Sequence, residues 1–100
     1  MPNPTITVNP SAGTTHPPGQ VNADPHSQNG FVNFNATSPC TILFDHSDVF
    51  SMSSLALNQG NNKCFVQTEA GHTVVTIKGG ENRMLRSVGA QSNPTDIIVP

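Results

Sequence analysis

Few side chains in this chain can bind a metal or attack a bond, and they are scattered: His16, His26, His46 and His72, Cys40 and Cys64, and, apart from Met1, the thioethers Met52 and Met84. A blue-copper centre takes two imidazoles, one thiolate and, as a rule, a weak axial thioether. Such a centre would be drawn here from Cys40, His46, His72, Met52 and Met84. Cys40, His46 and Met52 have five residues between successive members, a loose spacing, and Cys40 belongs to a strand-like run. The first expectation is therefore no cofactor, with copper as the alternative. There is no H-x-H, H-E-x-x-H or C-x-x-C, so a preset zinc site has little support. No G-x-S-x-G occurs, and Asp48 lies near His46 only by sequence adjacency, which does not make a triad. Gly79-Gly80 lacks the Lys and Ser/Thr that complete a phosphate loop. The chain does not read as an enzyme.

Cys40 and Cys64 are placed by the pattern on inward positions of two different strands, with 23 residues between them. A disulfide closing that loop would stabilise the fold by about 3–3.5 kcal/mol on the chain-entropy account. For a domain of ordinary marginal stability that is a large share. A Cys40–Cys64 bridge is the expectation, and two buried free thiols are the alternative. A bridge would also remove the thiolate that copper requires.

The elements that position these residues are strands. Phe31 to Asn35 alternates, with Val32 and Phe34 on one face. Asn35 to Pro39 is a turn, and Cys40 to Asp45 alternates again with Ile42 and Phe44 inward. Further strands are read at Thr5–Val8, Ser54–Asn58, Lys63–Thr68, Thr73–Ile77 and Asp96–Val99. Val66, Val75 and Ile77 join the expected core. Residues 1–30 read as a first strand followed by a Pro/Gly-rich arm in which Val21 anchors at most a brief edge strand. Residues 31–100 hold the remainder of one domain. Ser47 or Asp48 could open a short turn carrying Val49 and Phe50. Glu81 to Ser92 is read as a turn of helix or a loop.

Composition agrees with an all-β chain. Charged residues are 10% of the sequence, Pro 9 and Gly 8 in number, and Asn, Thr, Ser and Gln fill the polar balance. These residues favour strands, turns and caps over helix interiors. A net charge of −2 with four Lys and Arg gives no basic face for phosphates, and Trp and Tyr are absent, so nucleic acid is not an expected partner. The missing Trp and Tyr also count against carbohydrate stacking on a sheet face. No apolar run is long enough to span a membrane. The start, MPNPTITVNP, has neither a basic n-region nor an apolar h-region. Paired cysteines in a charge-poor chain fit an oxidising compartment, so the expected location is extracytoplasmic, periplasmic or secreted, with any leader already removed.

About seven short strands with turn signals between them point to a two-sheet β-sandwich. The order of segments, from the Thr5–Val8 strand through "GQVNADP", "FVNF", "CTILF", "LAL" and "TVVTI" to the terminal "DIIV", resembles small bacterial cupredoxin-like domains. The resemblance implies a Greek-key sandwich, cupredoxin-like or immunoglobulin-like. In that family the Cys, second His and Met ligands cluster a few residues apart in the loop before the last strand, a pattern these residues do not reproduce. The functional expectation is a non-catalytic, exported structural or protein-interaction domain that could self-assemble through its N-terminal arm. The alternative is a copper-binding electron-transfer protein with an atypical site.

Overall fold

A computed structural model describes residues 3–78 and 94–100, and the segment read above as Glu81–Ser92, with Met84, lies outside them. The regular elements of the described residues are strands, joined by turns and loops, plus one 3-10 turn at His26–Gln28: β1 (Thr5–Asn9), β2 (Thr14–His16), β3 (Gly19–Asn22), β4 (Phe31–Ala36), β5 (Cys40–Phe44), β6 (Ser54–Leu57), β7 (Gly60–Phe65), β8 (Gly71–Lys78) and β9 (Thr95–Val99). They form a four-stranded sheet in the order β2-β1-β4-β7 and a five-stranded sheet in the order β3-β9-β8-β5-β6. Both sheets are mixed. β1 runs parallel to β4 and β3 parallel to β9, while the other pairs are antiparallel. Only β1–β2, β5–β6 and β8–β9 are consecutive strands within one sheet, and every other connection passes from one sheet to the other. Among the described residues no helix is long and apolar enough to cross a membrane.

The strand alternation decides which face is buried. In β4, Val32, Phe34 and Ala36 point inward while Phe31, Asn33 and Asn35 point outward. In β5, Ile42 and Phe44 are buried, and in β8 Thr73, Val75 and Ile77. Val49, Phe50 and Val66 complete this core from the connections. Three rings meet there: Phe34 lies 6.0 Å from Phe44 and 6.1 Å from Phe50, and Phe44 lies 4.9 Å from Phe50, all in tilted or edge geometries that suit the aromatic quadrupole.

The described residues hold nine strands instead of the expected seven or so, and the difference lies in residues 1–30. The stretch read as an arm supplies β2 to one sheet and β3 to the other. Its buried residues, Thr15, Ala23 and Asp24, are small or polar and leave no apolar signature. Thr15 is held by hydrogen bonding across the sandwich. The Thr95 backbone N–H donates to Thr15 Oγ1 at 3.1 Å, and the two hydroxyls lie 2.9 Å apart. Gly30 closes the stretch where a side chain could not fit, because a Cβ there would overlap the Asp24 carbonyl.

Candidate functional site

The cysteines do not pair. Both are free thiols, Cys40 in the five-stranded sheet opposite Leu57 and Cys64 in the four-stranded sheet opposite Val32. Cys40 opens β5 across a three-residue turn from the end of β4 at Ala36, whereas Cys64 pairs with Val32, four residues or roughly 13 Å back along β4, and the Cα atoms of a disulfide are at most about 7 Å apart. That spacing corrects the Cys40–Cys64 bridge. Burial raises the Cys40 thiol above its ordinary pKa and pushes Cys64 up to about 11. Both thiols are protonated at neutral pH and poor nucleophiles.

The residues proposed for copper separate as well. Met52, half-buried, packs against the hydrophobic core, and Met84 is outside the described residues. Among the described residues no three His, Cys, Asp or Glu side chains come together as a ready metal cage. His16 is exposed on β2 opposite Thr7. The His26 ring nitrogen Nδ1 lies 3.1 Å from the Val66 carbonyl.

His46 and His72 are the exception. Their ring centroids are 4.7 Å apart with an interplanar angle of 53°. β5 and β8 are antiparallel, with Phe44 opposite Val75, so the residues just after β5 lie beside the start of β8. Asp45 fixes this junction. Its Oδ1 accepts from the Val74 N–H at 2.7 Å and from the Thr73 hydroxyl at 3.2 Å, and it lies 3.0 Å from His46 Nδ1. The buried Thr73 hydroxyl oxygen in turn accepts from the His46 N–H at 3.2 Å. Partial desolvation pushes the Asp45 carboxyl up, but the bonds from Val74, His46 and Thr73 and the His46 charge outweigh it, so its pKa is lowered overall.

His72 has a carboxylate of its own. Asp96, outward on β9 and directly opposite Val74, places Oδ1 3.5 Å from His72 Nδ1. That is an ion-pair separation rather than a hydrogen bond, and this buried Oδ1 has no hydrogen-bond partner. Each imidazole thus turns Nδ1 toward an acid. Both rings stay open to solvent, with side-chain exposures of 49% for His46 and 53% for His72. Asp45 adjoins His46 in the sequence, but Asp96 carries no local signal, because only the strand register brings it to His72.

A second feature lies on the other sheet. The outward face of β4 and β7 is a ladder with one charge, Lys63, in its middle pair: Asn35 opposes Asn61, Asn33 opposes Lys63 and Phe31 opposes Phe65. Asn33 Nδ2 donates to Asn61 Oδ1 at 3.1 Å. Phe65 is 49% exposed and is the one exposed large apolar side chain among the described residues. Its ring centroid lies 5.8 Å from that of Phe31, and the Lys63 ammonium sits over the Phe31 ring at 4.4 Å. β7 is also an edge strand. Its six residues outrun the other sheet edges, β2, β3 and β6, which have three or four. The alternation of "NKCF" carries this signal in the sequence, but the turn-forming residues of Asn58-Gln59-Gly60-Asn61-Asn62 hide where the strand begins. Asn62 accounts for that: Nδ2 donates to the carbonyls of Asn58 at 2.8 Å, Gly60 at 3.0 Å and Phe34 at 3.1 Å, so turn chemistry is satisfied from inside the strand.

No family model, curated protein or solved structure matches the chain.

Proposed function

We propose that this chain is a non-catalytic β-sandwich domain that associates with protein through the free edge of β7. The carrying observation is that, among the described residues, the longest unpaired strand edge also bears the exposed Phe65. Edge strands offer rows of free backbone donors and acceptors, and proteins usually guard them with short length or outward charge. β7 is not short, and its one charge, Lys63, folds back over Phe31 instead of standing along the edge. An added strand would gain main-chain hydrogen bonds there and cover the Phe31–Phe65 pair.

The first occupant to consider is a second copy, pairing edge to edge about a two-fold axis. Exchange of the N-terminal strand is a weaker route, because β1 lies between β2 and β4 in its own sheet and buries Ile6 and Val8. Sedimentation velocity over a wide concentration range tests the reading on the wild type and on Phe65→Lys. The expected result is a concentration-dependent dimer weakened by the substitution. A wild type that stays monomeric at the highest concentrations rejects self-association through β7.

The finer fold reading is a cupredoxin-like Greek-key sandwich. It is supported by the crossing connections between sheets and by the parallel placement of β1 and β3 beside much later strands. The copper reading is less favoured. Cys40 and Cys64 belong to opposite sheets, and the segment 79–93 joining β8 to β9 contains Met84 but neither Cys nor His. With the cysteines unpaired, an extracytoplasmic location rests on the charge-poor, Thr- and Asn-rich composition alone.

A further inference from the structure

The geometry points to a two-imidazole site for a late first-row divalent cation, Cu²⁺ or Zn²⁺, formed by His46 and His72 at the junction of β5 and β8. The centroid separation of 4.7 Å matches two imidazoles sharing one ion. With metal–nitrogen bonds of about 2.0–2.1 Å and bond angles near those of square or tetrahedral coordination, ring centroids lie roughly 5 Å apart. Each ring turns Nδ1 toward a carboxylate, within hydrogen-bond distance at His46 (Asp45, 3.0 Å) and at ion-pair distance at His72 (Asp96, 3.5 Å). A proton held on Nδ1 toward an acid leaves Nε2 with its lone pair free, which is the state a metal requires. The same carboxylate–imidazole pairing orients ligating histidines in established metal sites. Asp45 is itself anchored by the Val74 N–H and the Thr73 hydroxyl, so the His46 ring is supported from β8 before any ion arrives.

The site has two protein ligands, and water fills the other positions, since both rings are about half exposed. Imidazole suits copper and zinc, and among divalent first-row ions copper binds most tightly to such a set. This site differs from a thiolate copper centre because neither cysteine belongs to it. It stands apart from the β7 edge, on the other sheet, and does not depend on the interaction reading.

The test is calorimetric titration of CuCl₂ and of ZnCl₂ into the reduced protein in a non-chelating buffer. It is joined by electron paramagnetic resonance of the Cu²⁺ form and by imidazole nitrogen shifts of the Zn²⁺ form. One ion per chain is expected, with two-nitrogen hyperfine coupling and with shifts confined to the His46 and His72 Nε2 atoms. His46→Ala and His72→Ala should each weaken binding at least tenfold, while His16→Ala leaves it unchanged. Asp45→Asn and Asp96→Asn, which keep both ligands, should weaken it about tenfold through lost orientation. Circular dichroism of each variant verifies that the fold is retained, as substitution of exposed rings permits. No heat with either ion overturns the proposal. So does binding that survives both histidine substitutions, or binding that is lost instead in Cys40→Ser or Cys64→Ser.

Discussion

Cys64 offers the sharpest test of how the two sheets are joined. It lies on β7 opposite Val32, 6% exposed, as a free thiol. If it acts as a small apolar core residue, the outcome of substitution depends on polarity and little on sulfur. Cys64→Val keeps the site apolar at similar volume and should change stability by less than ~1.5 kcal/mol. Cys64→Ser places a hydroxyl in the same apolar surroundings and should cost ~1–3 kcal/mol. A disulfide predicts a different pattern: both substitutions, and reductant acting on the wild type, would each remove about 3 kcal/mol. Urea unfolding of the three proteins at pH 7, with and without reductant, separates the cases. Equal losses in both variants, matched by the effect of reductant, would refute the free-thiol arrangement. The alkaline limb gives a second reading. The folded thiol is raised, so above pH 9 the unfolded chain gives up its proton first. The thiol's contribution is fully present below pH 9 and lost as pH rises toward 11. The interval from 9.0 to about 11 is worth at most ~2.7 kcal/mol, and solvent screening reduces the observable loss to ~1–2 kcal/mol. In Cys64→Val that part of the alkaline loss should vanish.

Three further substitutions probe other parts of the argument. Phe34→Ala empties the centre of the Phe34–Phe44–Phe50 cluster and should cost ~3–5 kcal/mol in chemical denaturation; a loss under 1 kcal/mol would mean that those rings do not form the core. Asn62→Ala removes the amide that satisfies the carbonyls of Asn58, Gly60 and Phe34, with an expected loss of ~1–3 kcal/mol, and unchanged stability would show that water replaces it. Gly30→Ala forces a methyl against the Asp24 carbonyl and should cost ~3 kcal/mol or more, read as a lower thermal midpoint; wild-type stability would show that the 24–30 connection is looser than described.

The parts of the fold legible in the sequence are those in which a strand buries one face with large apolar residues. "FVNFN" and "CTILF" alternate because β4 and β5 each turn one side to the core and one to solvent, and Val32, Phe34, Ile42 and Phe44 follow that period into the interior. β2 has no such mark. Its one buried residue, Thr15, is a hydroxyl satisfied by Thr95, 80 residues away, and no local window contains that partner. His46 and His72 are both metal candidates by residue type, but their closeness is hidden for the same reason. They are far apart in sequence, and the antiparallel register of β5 and β8 alone makes them neighbours. The cysteine expectation failed for a different cause. Alternation shows that a residue points inward, but it does not say at which level along the sandwich it sits: Cys64 pairs with Val32 near the start of β4, while Cys40 follows its end.

The parallel pairing of β3 with β9 has a consequence for how the chain reaches its native state. Among the described residues Gly19–Asn22 finds its partner only in Thr95–Val99, so the five-stranded sheet cannot close until a strand about 75 residues further along has been made. During synthesis β9 emerges after the other described strands, and until it docks both β3 and the β9-facing side of β8 stay open. Closing so long a loop is entropically expensive and slow. The interval before β9 arrives is therefore when β3 and β8 are most exposed to pairing with the wrong strand.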